Sequence, residues 1–365
     1  MTRFICSACG AAYAIQEPRW KCDCGHILDL SFEPRFPIDH IRNRKPTMWR
    51  YKEAIPLWNE VTPVSFDEGF TPLLAVEIEN RPVYIKQEHL FQTGSYKDRG
   101  ASVLLSVVNA LGISRVVEDS SGNAGAAIAA YGAAAGIACD IYVPADTSPA
   151  KLSQIQGYGA SLHKIPGTRD DTARAIWEAA QTMYYASHSW NPFFFHGTKT
   201  FAFEVVEQLG WKAPDTVILP VGNGTLLLGA ALGFSELQQA GIIQTIPRLI
   251  GVQAEHCAPL YYKNKNITDF RVQKTLAEGI AIASPIRGEQ IMEAVNRSGG
   301  YFIAVGEDEI PHALAAMSRK GFWIEPTAAA TIAGVRRYLL QEPDPQEILV
   351  SAFTGHGLKR ASAAF

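Results

Sequence analysis

Short apolar runs alternate with helical patterns along most of this chain, and that alternation is the tightest constraint on its fold. Residues 83–86, 115–118, 140–143, 161–164, 216–221 and 249–253 read as strands. Helical patterns occupy 97–111, 124–135, 148–156, 168–182 and 226–240, with Ser148 placed to cap the third. Parallel strands need long crossover connections, so strand–helix repetition of this kind predicts an α/β fold with helices on both faces of parallel sheets. The run 216–221 is apolar without alternation, as a strand buried on both faces should be.

At 365 residues the chain has room for two domains with sizeable cores. With 47% hydrophobic and 19% charged residues it has an ordinary globular composition rather than a disordered one. A net charge of −3 offers no polyanion-binding footprint, which argues against nucleic acid as a partner. The most apolar stretch, 124–139, is mostly alanine broken by glycine and is too weakly hydrophobic to span a bilayer. The first residues lack the apolar core of a signal peptide, so a soluble, cytoplasmic protein is expected.

Four of the six cysteines, Cys6, Cys9, Cys22 and Cys24, fall in the first 24 residues as C-x2-C and C-x-C pairs, each followed by glycine. Two thiolates per tight turn can complete a tetrahedral structural zinc site, and a cytosolic chain favours metal over disulfide. A ribbon without metal, or one held by a labile disulfide, is the alternative. Cys139 and Cys257 stand alone and read as core residues. Residues 1–30 thus form a ribbon, and the proline- and tryptophan-rich stretch that follows reads as a wrapping arm.

Three motifs carry chemistry. The first is Gln92-Thr93-Gly94-Ser95-Tyr96-Lys97-Asp98-Arg99-Gly100, a turn running into a helix. A helix N-terminus disfavours an ammonium ion, which suits a lysine that must act as a nucleophile or base. The plainer reading is a capping box, Ser95-x-x-Asp98, with a solvated lysine inside it. The second motif, Ser120-Ser121-Gly122-Asn123-Ala124-Gly125, joins a strand to an Ala/Gly-rich helix, where hydroxyls and backbone N–H groups can meet an anion. The third, Val221-Gly222-Asn223-Gly224-Thr225-Leu226, also links strand to helix and can converge N–H groups on a phosphate. A closing run, Ser351-Ala352-Phe353-Thr354-Gly355-His356-Gly357, places a hydroxyl before two glycines that flank a histidine.

Together these motifs resemble the fold type II pyridoxal-phosphate enzymes of the tryptophan synthase β-like superfamily, most closely the threonine synthase family. The resemblance covers nearly the whole chain. It implies two α/β domains with pyridoxal 5'-phosphate in the cleft between them and Lys97 as the Schiff-base lysine. It further implies that Asn123, Gly222, Asn223, Gly224, Thr225, Leu226 and Thr354 bind the cofactor, Thr354 at the pyridine nitrogen. The substrate carboxylate would lie on Ser120, Ser121, Asn123 and Ala124. A hydroxyl at the pyridine nitrogen makes a weaker electron sink than a carboxylate partner would, which fits elimination and replacement better than transamination. Glu325-Pro326-Thr327 matches a segment lining the family's cofactor cleft, and His356 reads as a turn residue more than a catalytic one. The implied domains are the ribbon at 1–30, a large cofactor-binding domain from 31–100 and 200–365, and a small one from 101–199. Such enzymes are usually homodimers.

The resemblance frays at Asn191-Pro192-Phe193-Phe194. Threonine synthases typically carry an arginine at the position of Phe194, where it helps hold the phosphate of O-phosphohomoserine. An aromatic ring cannot replace that bidentate guanidinium, and such a loss typically costs about 2–5 kcal/mol. His188, His196, Lys199 or Arg169 could compensate. The segment 276–281 also reads more like the dehydratase branch. The expected activity is therefore a lyase acting on a small amino acid, converting O-phosphohomoserine and water to threonine and phosphate. The alternatives are a dehydratase, ammonia-lyase or β-replacement enzyme on an unphosphorylated amino acid, or a homologue that binds no cofactor.

Overall fold

The computed structural model describes residues 2–147, 149–167, 169–341 and 344–359. Ser148 and Thr168, expected at the starts of two helices, lie outside the described residues, as does the side chain of Arg169. Strands among the described residues form three sheets. β1 (Arg3–Cys6), β2 (Ala12–Ala14) and β3 (Leu28–Ser31) make a small antiparallel ribbon in the order β2-β1-β3. β4 (Leu73–Ile78) and β5 (Arg81–Lys86) form a hairpin on the edge of the largest sheet. β6 (Arg115–Glu118), β7 (Ala138–Pro144), β8 (Ser161–Ile165) and β9 (Tyr184–Tyr185) form a wholly parallel sheet in the order β8-β7-β6-β9.

The largest sheet is completed by β10 (Thr216–Pro220), β11 (Arg248–Ala254), β12 (Phe302–Val305) and β13 (Leu349–Ala352), in the order β12-β11-β10-β13-β5-β4. Every neighbouring pair in it is parallel except β4 with β5. All five residues of β10 are buried, as the apolar run required. The observed strands and helices follow the predicted alternation to within a few residues, including the helices Lys97–Ala110, Asn123–Ala135 and Thr225–Gln239.

The chain divides into two compact units. The first comprises residues 1–69 and 97–198, the second 70–96 and 199–365. This departs from the division drawn on the sequence, which assigned 31–100 to the large domain and set the ribbon apart. The wrapping arm belongs with the first unit because it is hydrogen-bonded to the Lys97 helix. Trp49 Nε1 donates to Ser102 Oγ (3.1 Å), Ser102 Oγ to the carbonyl of Val64 (2.8 Å), and Val64 N–H to Ser106 Oγ (2.8 Å). No helix among the described residues is long and apolar enough to cross a membrane.

Candidate active site

In the first unit, Lys97 is half-buried at the start of its helix. The capping-box reading fails. Ser95 is fully buried and its Oγ has no hydrogen-bond partner among the described residues. Asp98 is fully buried too, rather than part of a solvated first turn. The short helix Pro192–Thr198 packs on the first turn of the Lys97 helix. At Gly100 any side chain would collide with Phe194, since a Cβ there would sit 2.3 Å from its ring. Lys97 Nζ in turn lies 5.7 Å from the centroid of that ring.

β6 leads into the Ser120 motif at its C-terminal end. Ser120, Ser121 and Asn123 stay partly accessible, while Ala124 is buried. Gly122 N–H donates to Ser120 Oγ at 3.3 Å. Gly125 is needed for this geometry, because a Cβ there would lie 1.9 Å from the carbonyl oxygen of Ser120. Two hydroxyls, an amide and the first-turn N–H groups of a 13-residue helix therefore gather at one strand end.

In the second unit, residues 94–96 run antiparallel to 354–356. Ser95 bridges Gly355, Tyr96 N–H donates to the carbonyl of Thr354 (3.2 Å), and His356 N–H to that of Gly94 (2.9 Å). Thr354 is 1% exposed, and its Oγ1 has no hydrogen-bond partner among the described residues. Leaving such a hydroxyl unmet costs about 1–3 kcal/mol, which an aromatic ring nitrogen would relieve. The 222–226 loop follows β10, with Gly224 in the left-handed region (φ +71°) opening the helix Thr225–Gln239. Beyond the ring that a phenylalanine would supply, Tyr96 adds a hydroxyl 2.7 Å from Thr225 Oγ1. Its extra oxygen was visible in the sequence, but the contact to a residue 129 positions away was not.

Two residues near the closing motif are already engaged. Thr327 Oγ1 accepts from Gly279 N–H at 3.1 Å, and His356 Nδ1 accepts from Leu358 N–H at 3.1 Å. His356 also faces the ring of His89 at 5.3 Å, which fits a structural turn residue.

Of the candidate substitutes for the expected arginine, Lys199 and His188 are paired as well. Lys199 is fully buried against Glu236 (2.7 Å). The His196 ring stands edge-on to Phe32 at 6.0 Å. His188 Nδ1 lies 2.7 Å from Glu118 Oε1, and its ring meets that of Phe194 edge-on at 6.0 Å. Sequence reasoning treated Glu118 only as the end of a strand, and its pairing with a histidine 70 residues away left no local signal.

The four clustered cysteines converge, with all ligand atoms within 4.8 Å of one another. Cys6 and Cys24 sulfurs are 3.5 Å apart, and Cys9 and Cys22 sulfurs 3.6 Å. A zinc tetrahedron with metal–sulfur bonds of about 2.3 Å has edges of roughly 3.8 Å, so these spacings suit a metal and exclude a disulfide, whose sulfurs lie about 2.05 Å apart. The ribbon packs on the rest of its unit through aromatic edges: Phe4 on Phe193 (5.6 Å) and Trp20 on Tyr185 (5.1 Å), Trp177 (5.3 Å) and Trp190 (5.5 Å).

Two parallel-sheet α/β units, a lysine at a helix start and strand-end loops rich in N–H donors define an enzyme built around an anionic cofactor. The chain belongs to the pyridoxal-phosphate dependent enzyme family, which matches residues 64–355. It is 36% identical to the threonine synthase of Methanocaldococcus jannaschii, over 98% of this chain and 93% of that one. It is 35% identical to the threonine synthase of Mycobacterium tuberculosis, over 86% and 88% of the two chains. Among solved structures, the processed form of threonine deaminase isoform 2 from Solanum lycopersicum superposes with a TM-score of 0.68 at 24% identity, covering 79% of each chain. The protein is a fold type II, threonine synthase-like enzyme and a pyridoxal-phosphate-dependent lyase.

Proposed function

We propose that this enzyme converts O-phosphohomoserine and water to threonine and phosphate. The observation that carries this reading is its likeness, over 98% of its length, to a protein named threonine synthase. The unmet hydroxyl of Thr354 supports the cofactor assignment, since a pyridine nitrogen is the acceptor it lacks. When bound, the cofactor supplies the electron sink for charge developing at the substrate carbons. Lys97 would anchor it, and its Nζ would take and return the proton at Cα. Asn123 would donate to the ring oxygen, and Gly222, Asn223, Gly224, Thr225 and Leu226 would offer backbone N–H groups to the phosphate. Ser120, Ser121, Asn123 and Ala124 would orient the substrate carboxylate.

A second reading, elimination from an unphosphorylated amino acid, is favoured by one observation. Phe194 is fully buried against the Lys97 helix, and His188 and Lys199 are each already paired with a carboxylate. Incubating the holoenzyme with O-phosphohomoserine separates the two. The expected result is threonine and phosphate in equimolar amounts. Neither product from a visibly yellow protein would transfer the assignment to keto-acid-forming chemistry on unphosphorylated substrates, whereas phosphate without threonine would mean elimination from O-phosphohomoserine itself.

We also infer that Cys6, Cys9, Cys22 and Cys24 hold a structural zinc ion, with the enzyme a cytoplasmic homodimer. Metal analysis is expected to give about one zinc per chain, lost in the Cys22→Ser/Cys24→Ser variant. Because Trp20 joins the ribbon to Tyr185 and Trp190, metal loss should also change the tryptophan emission. A chain grown with zinc yet isolated without metal would refute the assignment.

A further inference from the structure

Glu118 and His188 form a buried pair, linked to the Lys97 helix through the Phe194 ring, that the proposed chemistry does not use. Glu118 is fully buried, and its Oε1 is 2.7 Å from His188 Nδ1. Its second oxygen, Oε2, has no hydrogen-bond partner among the described residues. A buried acceptor left unmet on a polar side chain is costly, and it concentrates where function requires it. The Phe194 ring touches both halves of the arrangement, 6.0 Å from the His188 ring and 5.7 Å from Lys97 Nζ. β6 delivers Glu118 to the strand end that carries the Ser120 loop.

We propose that Glu118 and His188 are a charge-compensating pair for Lys97, positioning residues that let the strand end accept changes of charge on the lysine during turnover. This rests on the reading of Lys97 as the cofactor lysine. Burial pushes the Glu118 carboxyl up to about 8, and the positive charge of Lys97 pulls the other way. The charge on Lys97 therefore bears on whether the carboxyl holds its proton. When Lys97 is charged, the ionised carboxylate is favoured; when the lysine loses its charge, Glu118 takes up a proton and the local charge changes less than it otherwise would. The other ionisable groups facing Glu118 are Asp119 beside it, Cys139 on β7 and Tyr185 on β9, and each is pushed up by burial and by the Glu118 charge. None of the three supplies a positive charge, so among the described residues Lys97 is the charge that pulls the Glu118 carboxyl down. Phe194 keeps water from screening the exchange, a role an arginine at that position could not fill.

The test is the pH titration of the visible absorption band of the bound cofactor, which needs no substrate. Glu118→Gln keeps the shape and removes the charge. It is expected to lower the midpoint by about one pH unit, a tenfold change in the equilibrium. His188→Ala should shift the midpoint the same way, and His188→Asn, which keeps a donor where Nδ1 stood, should restore it. These two variants keep the test decisive if Glu118→Gln does not fold. A midpoint unmoved in both Glu118→Gln and His188→Ala overturns the pair. A wild-type protein that takes up no pyridoxal phosphate overturns instead the reading on which the pair rests.

Discussion

Substituting Lys97 with alanine is expected to lower turnover by at least about 10³-fold, the scale lost when a positioned acid–base group is removed. The fold should survive, because the side chain is only half-buried at a helix start and its Nζ lies as far as 5.7 Å from the centroid of the Phe194 ring. Two other lysines, Lys86 and Lys199, are fully buried and are the natural rivals for the role. Each is held by a buried carboxylate, Glu204 at 2.7 Å and Glu236 at 2.7 Å, so neither can present a free amine. Reduction of the holoenzyme with borohydride followed by peptide mapping decides among them. The cofactor mass should appear on the peptide containing Lys97 and vanish in Lys97→Ala. A label that persists in the variant, on Lys86 or Lys199, would end the assignment.

The alternation of strands and helices was legible because it is a local property. A buried parallel strand such as β10 must be continuously apolar, and the loops after it must turn sharply into helices. The division into units was not legible. Residues 31–69 have no period of their own, and what fixes them is a set of partners far along the chain, such as Trp49 with Ser102, 53 residues on. Ser95 misled for a related reason. Its spacing to Asp98 matches a helix cap, but the antiparallel bridge to Gly355 buries it and turns its hydroxyl away from that role. Local geometry in the candidate site was legible where glycines and short polar side chains mark a loop, as at 120–125 and 222–226. It was opaque at Glu118 and His188, because a charged residue closing a strand looks the same whether it faces water or a buried imidazole.

The same opacity hides a fully buried ion pair in the second unit. Lys86, on β5, and Glu204, on the helix Thr200–Gln208, are both fully buried and 2.7 Å apart. Lys86 Nζ also donates to the carbonyl of Thr71, which accepts in addition from Gln208 Nε2 at 2.9 Å. Thr71 Oγ1 completes the network by donating to Glu88 at 2.7 Å. Desolvating two charges costs several kcal/mol each, so the pair holds only while both members remain. Glu204→Leu leaves the ammonium in the interior without its carboxylate and is expected to cost about 3–5 kcal/mol, with a fall in Tm on the order of 10 °C. Glu204→Gln, which keeps an acceptor but not the charge, should lose less. The double variant Lys86→Met/Glu204→Leu should recover most of the loss, because an apolar pair of similar volume replaces a costly ionic one. Urea denaturation of the wild type, the two variants at Glu204, Lys86→Met and the double variant measures the coupling. Were Glu204→Leu to unfold within about 1 kcal/mol of wild type, the ammonium would have another source of compensation. If instead the double variant were as unstable as Glu204→Leu, the cost would lie in packing on the helix face rather than in an abandoned charge.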